Sequence, residues 1–220
     1  MNRHAEEFAR RRDAMVREQI EARGVHDARV LQAMRELPRE RFVRPGWEAE
    51  AYDDNPLPIA AGQTISQPYI VAFMSEALQL RGGERVLEIG TGSGYAAAVL
   101  GRLAKEVHTV ERHAVLADGA AAVLSALGVD NVQVHTADGT LGWPAAAPYD
   151  AIVVTAAGPE VPAALLAQLA VGGRLVMPVG EREGAQWLLR LTRVNEHETR
   201  REELMGVRFV PLTGAQGWPG

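Results

Sequence analysis

The ten residues Val86-Leu87-Glu88-Ile89-Gly90-Thr91-Gly92-Ser93-Gly94-Tyr95 decide how the rest of the chain is read. The run from Arg85 to Ile89 is short and mostly apolar, which predicts a buried strand. Three glycines at alternate positions then predict a tight turn, and Tyr95 to Ala104 has the composition of a helix. Glycine has no Cβ, so the main chain turns sharply and a ligand can lie directly against it. The spacing is G-x-G-x-G, without the third spacer residue of the dinucleotide fingerprint. An acid, Glu88, stands two residues before the first glycine. A plain tight turn would also use glycines. The strand before, the helix after and the acid together favour a loop that holds a cofactor.

Beyond Arg81-Gly82-Gly83 the sequence alternates short β-rich runs with helical stretches. Strands are expected at Arg85 to Ile89, Glu106 to Glu111, Val132 to Thr136, Ala151 to Thr155 and Arg174 to Pro178. Helices are expected at Tyr95 to Ala104, Ala114 to Leu127 and Val161 to Gln168. Trp187 to Thr192, Glu202 to Gly206 and Val207 to Leu212 read as closing strands, with an antiparallel member among them. This alternation predicts an α/β fold: a doubly wound, mostly parallel sheet covered by helices on both faces. Ligands of such sheets bind across the carboxyl ends of adjacent strands. Glu111 ends the strand that follows the loop, about 20 residues on, where a carboxylate accepts from ribose hydroxyls. Asp138, in Thr136-Ala137-Asp138-Gly139, follows the third strand and is placed to accept from an adenine amino group. Asp-Gly is equally a common turn.

Upstream, Phe8, Met15, Val16, Gln19 and Ile20 recur at near-helical spacing, with Gly24 as a stop. A second helix is expected from an N-cap at Asp27, with Val30, Leu31 and Met34 on one face, ending before Pro38. The pair either simply packs or walls a cleft. From Pro45 to Pro68 the prolines and Gly62 predict a long structured loop, a kind of segment that tends to carry function. A helix from about Pro68 to Leu80 follows, with Pro68 in its first turn.

Several stretches now point to a family. The glycine loop with Glu88 resembles the first motif of class I methyltransferases, a Rossmann-like group in which it wraps the methionine part of S-adenosylmethionine. Pro56-Leu57-Pro58-Ile59-Ala60-Ala61-Gly62-Gln63-Thr64-Ile65-Ser66-Gln67-Pro68-Tyr69, with Arg39-Glu40-Arg41-Phe42-Val43 and Val207-Arg208-Phe209-Val210-Pro211-Leu212-Thr213, resembles the protein-L-isoaspartate O-methyltransferase family. The resemblance runs from about Met15 to Thr213, and the Gln63 to Pro68 stretch is its most specific part. It implies methylation of the free carboxylate of L-isoaspartyl residues in damaged proteins and peptides, with S-adenosylhomocysteine as the other product. The ester then collapses to a succinimide that partly returns to aspartate.

The resemblance implies Ser66 as the active-site residue, with Thr64 and Ile65 lining the same site and Thr213 contributing from the C-terminal end. It implies cofactor contacts at Glu88, Gly90, Thr91, Gly92, Ser93, Gly94, Glu111, Asp138 and Gly139. A serine just before a helix is also an ordinary N-cap, and both roles can coexist in Ser66. Relatives often carry glycine where this chain has Ala60 and Ala137, so either position is a candidate for a positive φ that alanine resists. One methyltransferase domain over residues 1–220 is expected, with N-terminal helices and the substrate loop up to residue 80 and the cofactor core with its closing strands beyond.

Composition fits this reading. The chain has 220 residues, enough for a core without staples, and no cysteine, which excludes disulfides, thiolate metal sites and a cysteine nucleophile. The six histidines show no metal-ligand spacing. The beginning of the chain lacks an apolar signal core, no stretch suits a bilayer, and the formal charge of -5 with scattered Lys and Arg gives no basic track for nucleic acid. The expectation is a cytoplasmic monomer with neither membrane nor nucleic-acid partners. The competing readings are a methyltransferase of the same fold acting on a small molecule or RNA, an NAD-dependent oxidoreductase, and a binder that has lost catalysis.

Overall fold

A computed structural model describes residues 3–219; Met1, Asn2 and Gly220, the outermost residues of the expected domain, lie outside the described residues. Helix α1 (Arg3–Ala14) runs into a wider π turn over Met15–Ile20 and a tight turn over Glu21–Arg23. Gly24, at φ +96°, stops it as the sequence predicts. Helix α2 (Ala28–Glu36) starts at Asp27, whose carboxylate accepts from the amides of Arg29 and Val30. The long loop contains a two-stranded hairpin, β1 (Leu57–Pro58) and β2 (Thr64–Ile65), and leads into α3 (Pro68–Ala77).

The core elements follow: β3 (Arg85–Ile89), α4 (Tyr95–Leu103), β4 (Glu106–Glu111), α5 (Ala114–Ala126), β5 (Val132–Thr136), β6 (Tyr149–Val154), α6 (Ala163–Gln168), β7 (Leu169–Gly180), β8 (Gln186–Arg193) and β9 (Thr199–Val207). They build a seven-stranded sheet in the order β5-β4-β3-β6-β7-β8-β9, parallel from β5 to β7 and antiparallel for β8 and β9. The order reverses at β3, which has β4 on one side and β6 on the other, so a crevice opens at its carboxyl end.

Alternate residues of the strands feed two cores. Val86, Val107 and Val153 join the cluster formed with α1 to α5. Leu87, Val110, Ile152 and Met177 face the other way, onto Leu165 of α6 and Leu212. The second face carries less helix, and at its β5 edge His108, His135 and Trp143 stack instead, with centroids 5.3 and 4.0 Å apart in turn.

One expected strand is absent. Val207 closes β9 opposite Gln186, the chain then leaves the sheet, and from Arg208 to Leu212 it forms only a bridge at Pro211 with Ala157. Proline has no N–H to extend a ladder, and the carbonyl of Val210 and the amide of Leu212 pair instead with the amide and carbonyl of Ala157, each at 2.8 Å. Among the described residues no helix is long and apolar enough to cross a membrane.

Candidate functional site

The carboxyl ends of β3, β4 and β6 open into a cavity of about 940 Å³. Its wall on the sheet side is the glycine turn. Gly90, Gly92 and Gly94 have φ of +94°, +52° and +85°, a region in which a Cβ is strained. At Gly90 space forbids it as well: a Cβ would stand 2.4 Å from the Thr155 hydroxyl, which donates to the Gly90 carbonyl at 2.7 Å. The alternating glycines therefore let the turn close onto the end of β6 without a Cβ of their own at Gly90, Gly92 or Gly94.

Two acids sit behind this turn, and they behave differently. Glu111 ends β4 and lines the cavity; its oxygens accept from the amides of Gly92 and His113, each at 3.0 Å. Each oxygen keeps a lone pair for a further donor. Glu88 is fully buried and stands one step behind the cavity lining. Burial, with the Glu111 carboxylate adding to it against the Thr109 hydroxyl, pushes its carboxyl up to about 8. Thr109 donates to Glu88 at 2.5 Å and lies 2.6 Å from the Thr91 hydroxyl. Glu88 thus reaches the loop through Thr109 and Thr91, and its other oxygen has no partner among the described residues.

Asp138 is also turned away from the cavity, although Gly139 lines it. One Asp138 oxygen accepts from the amide and hydroxyl of Thr140 and the other from the amide of Ala215. Burial works to raise this carboxyl, but the Ala215 and Thr140 donors and the Arg112 charge outweigh it and hold it below the usual carboxylate range. The C-terminal tail strapped across Asp138 occupies the oxygens that the sequence assigns to adenine. Gly139, directly after Asp138, and Thr213, two residues before Ala215, lie at the cavity.

A second wall is the hairpin loop. Thr64, Ile65 and Ser66 all line the cavity, as do Thr91, Gly92 and Ser93, and Gly92 stands close to Ile59 and the Thr64 carbonyl of the hairpin. Ser66 is not the cap of α3: Gln67 holds that position, Pro68 opens the helix and no side chain caps it. The Ser66 hydroxyl makes no hydrogen bond among the described residues, while its carbonyl accepts from Arg39 at 3.0 Å. Neither Ala60 nor Ala137 has the positive φ expected of them; the left-handed alanine is Ala61, at φ +53°, in the hairpin turn.

Sequence reasoning missed part of the lining. Thr155 escaped because a threonine after a strand carries no distinctive pattern. Trp187, half exposed, and Arg208 line the cavity from β8 and the segment after β9, two places that meet only because the antiparallel strands fold back.

Residues 10–217 match the family model described as protein-L-isoaspartate(D-aspartate) O-methyltransferase. Over 97% of its length the chain is 63% identical to the protein-L-isoaspartate O-methyltransferase 1 of Rhodopseudomonas palustris (strain HaA2), covering 87% of that protein. Among solved structures, a protein-L-isoaspartate O-methyltransferase superposes with a TM-score of 0.85 at 30% identity, covering 94% of this chain and 67% of the other. A Plasmodium falciparum structure assigned to the same activity, in complex with S-adenosyl-L-homocysteine, gives 0.80 at 25% identity over 92% of this chain and 98% of its own.

Proposed function

This chain belongs to the protein-L-isoaspartate(D-aspartate) O-methyltransferase family, and from that premise we propose how its residues divide the work. It is an S-adenosylmethionine-dependent enzyme that methylates the free carboxylate of L-isoaspartyl residues in damaged proteins, the opening step of their repair. What carries the assignment of roles is that the glycine loop, Glu111 and the Ser66 hairpin line one cavity.

When bound, S-adenosylmethionine supplies a methyl group already activated on a sulfonium. The residues fit such a group. The turn offers bare main chain at Gly90 and Gly92, Glu111 has lone pairs for hydroxyls, and the volume is that of an ordinary small-molecule site. Gly90 to Gly94, with Thr91 and Ser93, hold the amino-acid end and Glu111 the ribose. Gly139 and Thr213 border the adenine end, where Asp138 acts by shaping the strap. Glu88 holds the loop from behind.

The substrate carboxylate has a pKa of about 4 and is ionised at neutral pH, so no general base is required. Ser66, its hydroxyl uncommitted, would donate a hydrogen bond to that carboxylate and so fix its orientation in the cavity. Thr64 and Ile65 border the same substrate. Holding the reactants in line is worth roughly 7 kcal/mol or more, and exclusion of water from the carboxylate adds to it. No base hydrogen-bonds to Ser66 among the described residues, which supports an orienting role over a nucleophilic one. We extend the reading to a single methyltransferase domain acting as a cytoplasmic monomer; the even, weakly acidic composition supports it, and a solution mass twice that of the chain would correct it.

The test is transfer of labelled methyl to a peptide with one L-isoaspartyl residue, with the matching L-aspartyl peptide as control. Labelling of the first alone is expected. Labelling of neither by protein that binds S-adenosylhomocysteine would move the substrate assignment elsewhere.

A further inference from the structure

Arg39 is the largest fully buried side chain, with no accessible surface. Among the described residues no carboxylate pairs with it, although a buried cation is costly unless compensated. Its contacts are of another kind. Nε donates to the carbonyl of Ala51 at 2.7 Å and Nη2 to the carbonyl of Ser66 at 3.0 Å. The guanidinium lies over the ring of Tyr95, 4.8 Å from its centroid, and Phe42 meets the same ring edge-on at 5.4 Å. Tyr95 is the first residue of α4 and follows the glycine turn directly.

One prong rests on a fixed support. Next to Ala51, the Tyr52 carbonyl accepts from Gln19 at 3.0 Å and the Tyr52 hydroxyl donates to Glu40. The other prong ends on the residue whose hydroxyl faces the substrate. The plane between them lies on the start of the cofactor-loop helix.

We propose that Arg39 is a positioning residue for methyl transfer: its rigid fork sets the place of Ser66 relative to the glycine turn. The proposal rests on the role given to Ser66 above. A guanidinium suits the task because its donors are fixed in one plane, whereas a lysine ammonium is a single point on a flexible stem. A displacement of the Ser66 carbonyl carries its hydroxyl with it, and misplacement by about 1 Å is enough to cost on the order of 100-fold in rate.

Three variants and one combination test this in the whole protein. Arg39→Lys is expected to lower kcat by about 10- to 100-fold, with the affinity for S-adenosylhomocysteine and the KM for the isoaspartyl peptide little changed. Arg39→Met removes the buried charge together with its cost, so it keeps a Tm close to that of the parent while losing kcat as Lys does. Leu37→Ala, a cavity in the same layer, lowers Tm and leaves kcat intact below the transition. Arg39→Met combined with Ser66→Ala loses no more than Ser66→Ala alone, because both act through one hydroxyl.

Wild-type kcat in either Arg39 variant, with Ser66→Ala impaired, overturns the proposal alone. So does a double variant that loses the product of the two single effects. Wild-type kcat in Ser66→Ala instead sinks the Ser66 reading, and the proposal with it.

Discussion

The two walls of the cavity are made by different means. On the sheet side, Gly90 to Gly94 and Glu111 grow out of parallel strands in fixed register, where the Gly90 amide donates to the Val110 carbonyl and the Thr155 amide to the Ile89 carbonyl. The side chains that add to this, Thr155, Glu111 and Thr109, come from the same strands or their ends. On the hairpin side, Ser66 belongs to no long element, and side chains from elsewhere hold its segment, Arg39 above all. The difference follows what each wall meets. A cofactor is always the same molecule, so its wall can be cut to shape at main-chain precision. A damaged protein presents the same carboxylate in varied company, and a wall hung from a few side-chain bonds fixes one hydroxyl without fixing everything around it. Errors on the first wall should therefore abolish binding, and errors on the second should slow the reaction while binding persists.

The largest effect should come from Gly90→Ala. Its Cβ would stand 2.4 Å from the Thr155 hydroxyl at a φ of +94°. Left-handed strain alone costs about 1–2 kcal/mol, and the turn must open as well. Calorimetric titration should find no binding of S-adenosylhomocysteine; binding at the parental affinity would show that the turn is softer than a backbone-built wall should be.

Next is Ser66→Ala. A hydrogen bond to a charged group is worth roughly 1.5–3 kcal/mol, which is about 10- to 100-fold in kcat, with unchanged affinity for S-adenosylhomocysteine. A covalent methyl-serine trapped by mass spectrometry would contradict the orienting role. If the affinity for the cofactor product fell as far as kcat, the two walls would not be separable.

The effect of Glu88 is read in stability and not in turnover, and is spread over pH. Its carboxyl rises from 4.5 to about 8 on folding, so across that interval the folded protein keeps a proton that the unfolded chain has released. Stability is then greatest below the unfolded value, falls as pH rises through the interval at up to about 1.4 kcal/mol per unit, and levels off above about 8. Glu88→Gln keeps a neutral partner for Thr109 and should flatten the fall in Tm between about pH 5 and pH 8. An unchanged slope would mean that Glu88 is ionised behind the turn.

The same contrast explains what the sequence disclosed. β3 and β4 begin and end where strand composition puts them, because a strand inside a parallel sheet is a short, mostly apolar run, and β5 does so at the sheet edge because Val132 and Val134 alternate with polar residues. Glu111 was legible because register carries the last residue of such a strand to the cavity. Asp138 follows β5 just as plainly, yet its oxygens are taken by Thr140 and by Ala215, a residue 77 positions later. No local pattern announces a tail that returns to a turn. Arg39 was hidden for a related reason: beside Glu40 and Arg41 it reads as a solvated charge, and only the packing of Phe42 and Tyr95 takes it out of water. Val207 to Leu212 alternates like a strand, and Pro211 decides against it.

The hairpin offers the mildest test, and the converse of the first. Ala61 is exposed, at φ +53°, followed by Gly62 at +67°, in the turn that carries β1 back along β2. Its carbonyl accepts from the Gln63 side chain at 3.2 Å, and the Ile59 amide donates to the Gln63 carbonyl at 2.8 Å, so the turn is closed by bonds that need no side chain at Ala61. Ala61→Gly relieves about 1–2 kcal/mol of left-handed strain and returns about 0.4–1 kcal/mol as added freedom of the unfolded chain. The net gain is about 0–1.6 kcal/mol, a rise in Tm of at most about 6 °C for a chain of this size. Because Arg39 and not the turn sets the position of Ser66, kcat should stay at the parental value. A rise or fall in kcat with no matching change in Tm would mean that the turn, and not the arginine fork, governs where the serine stands.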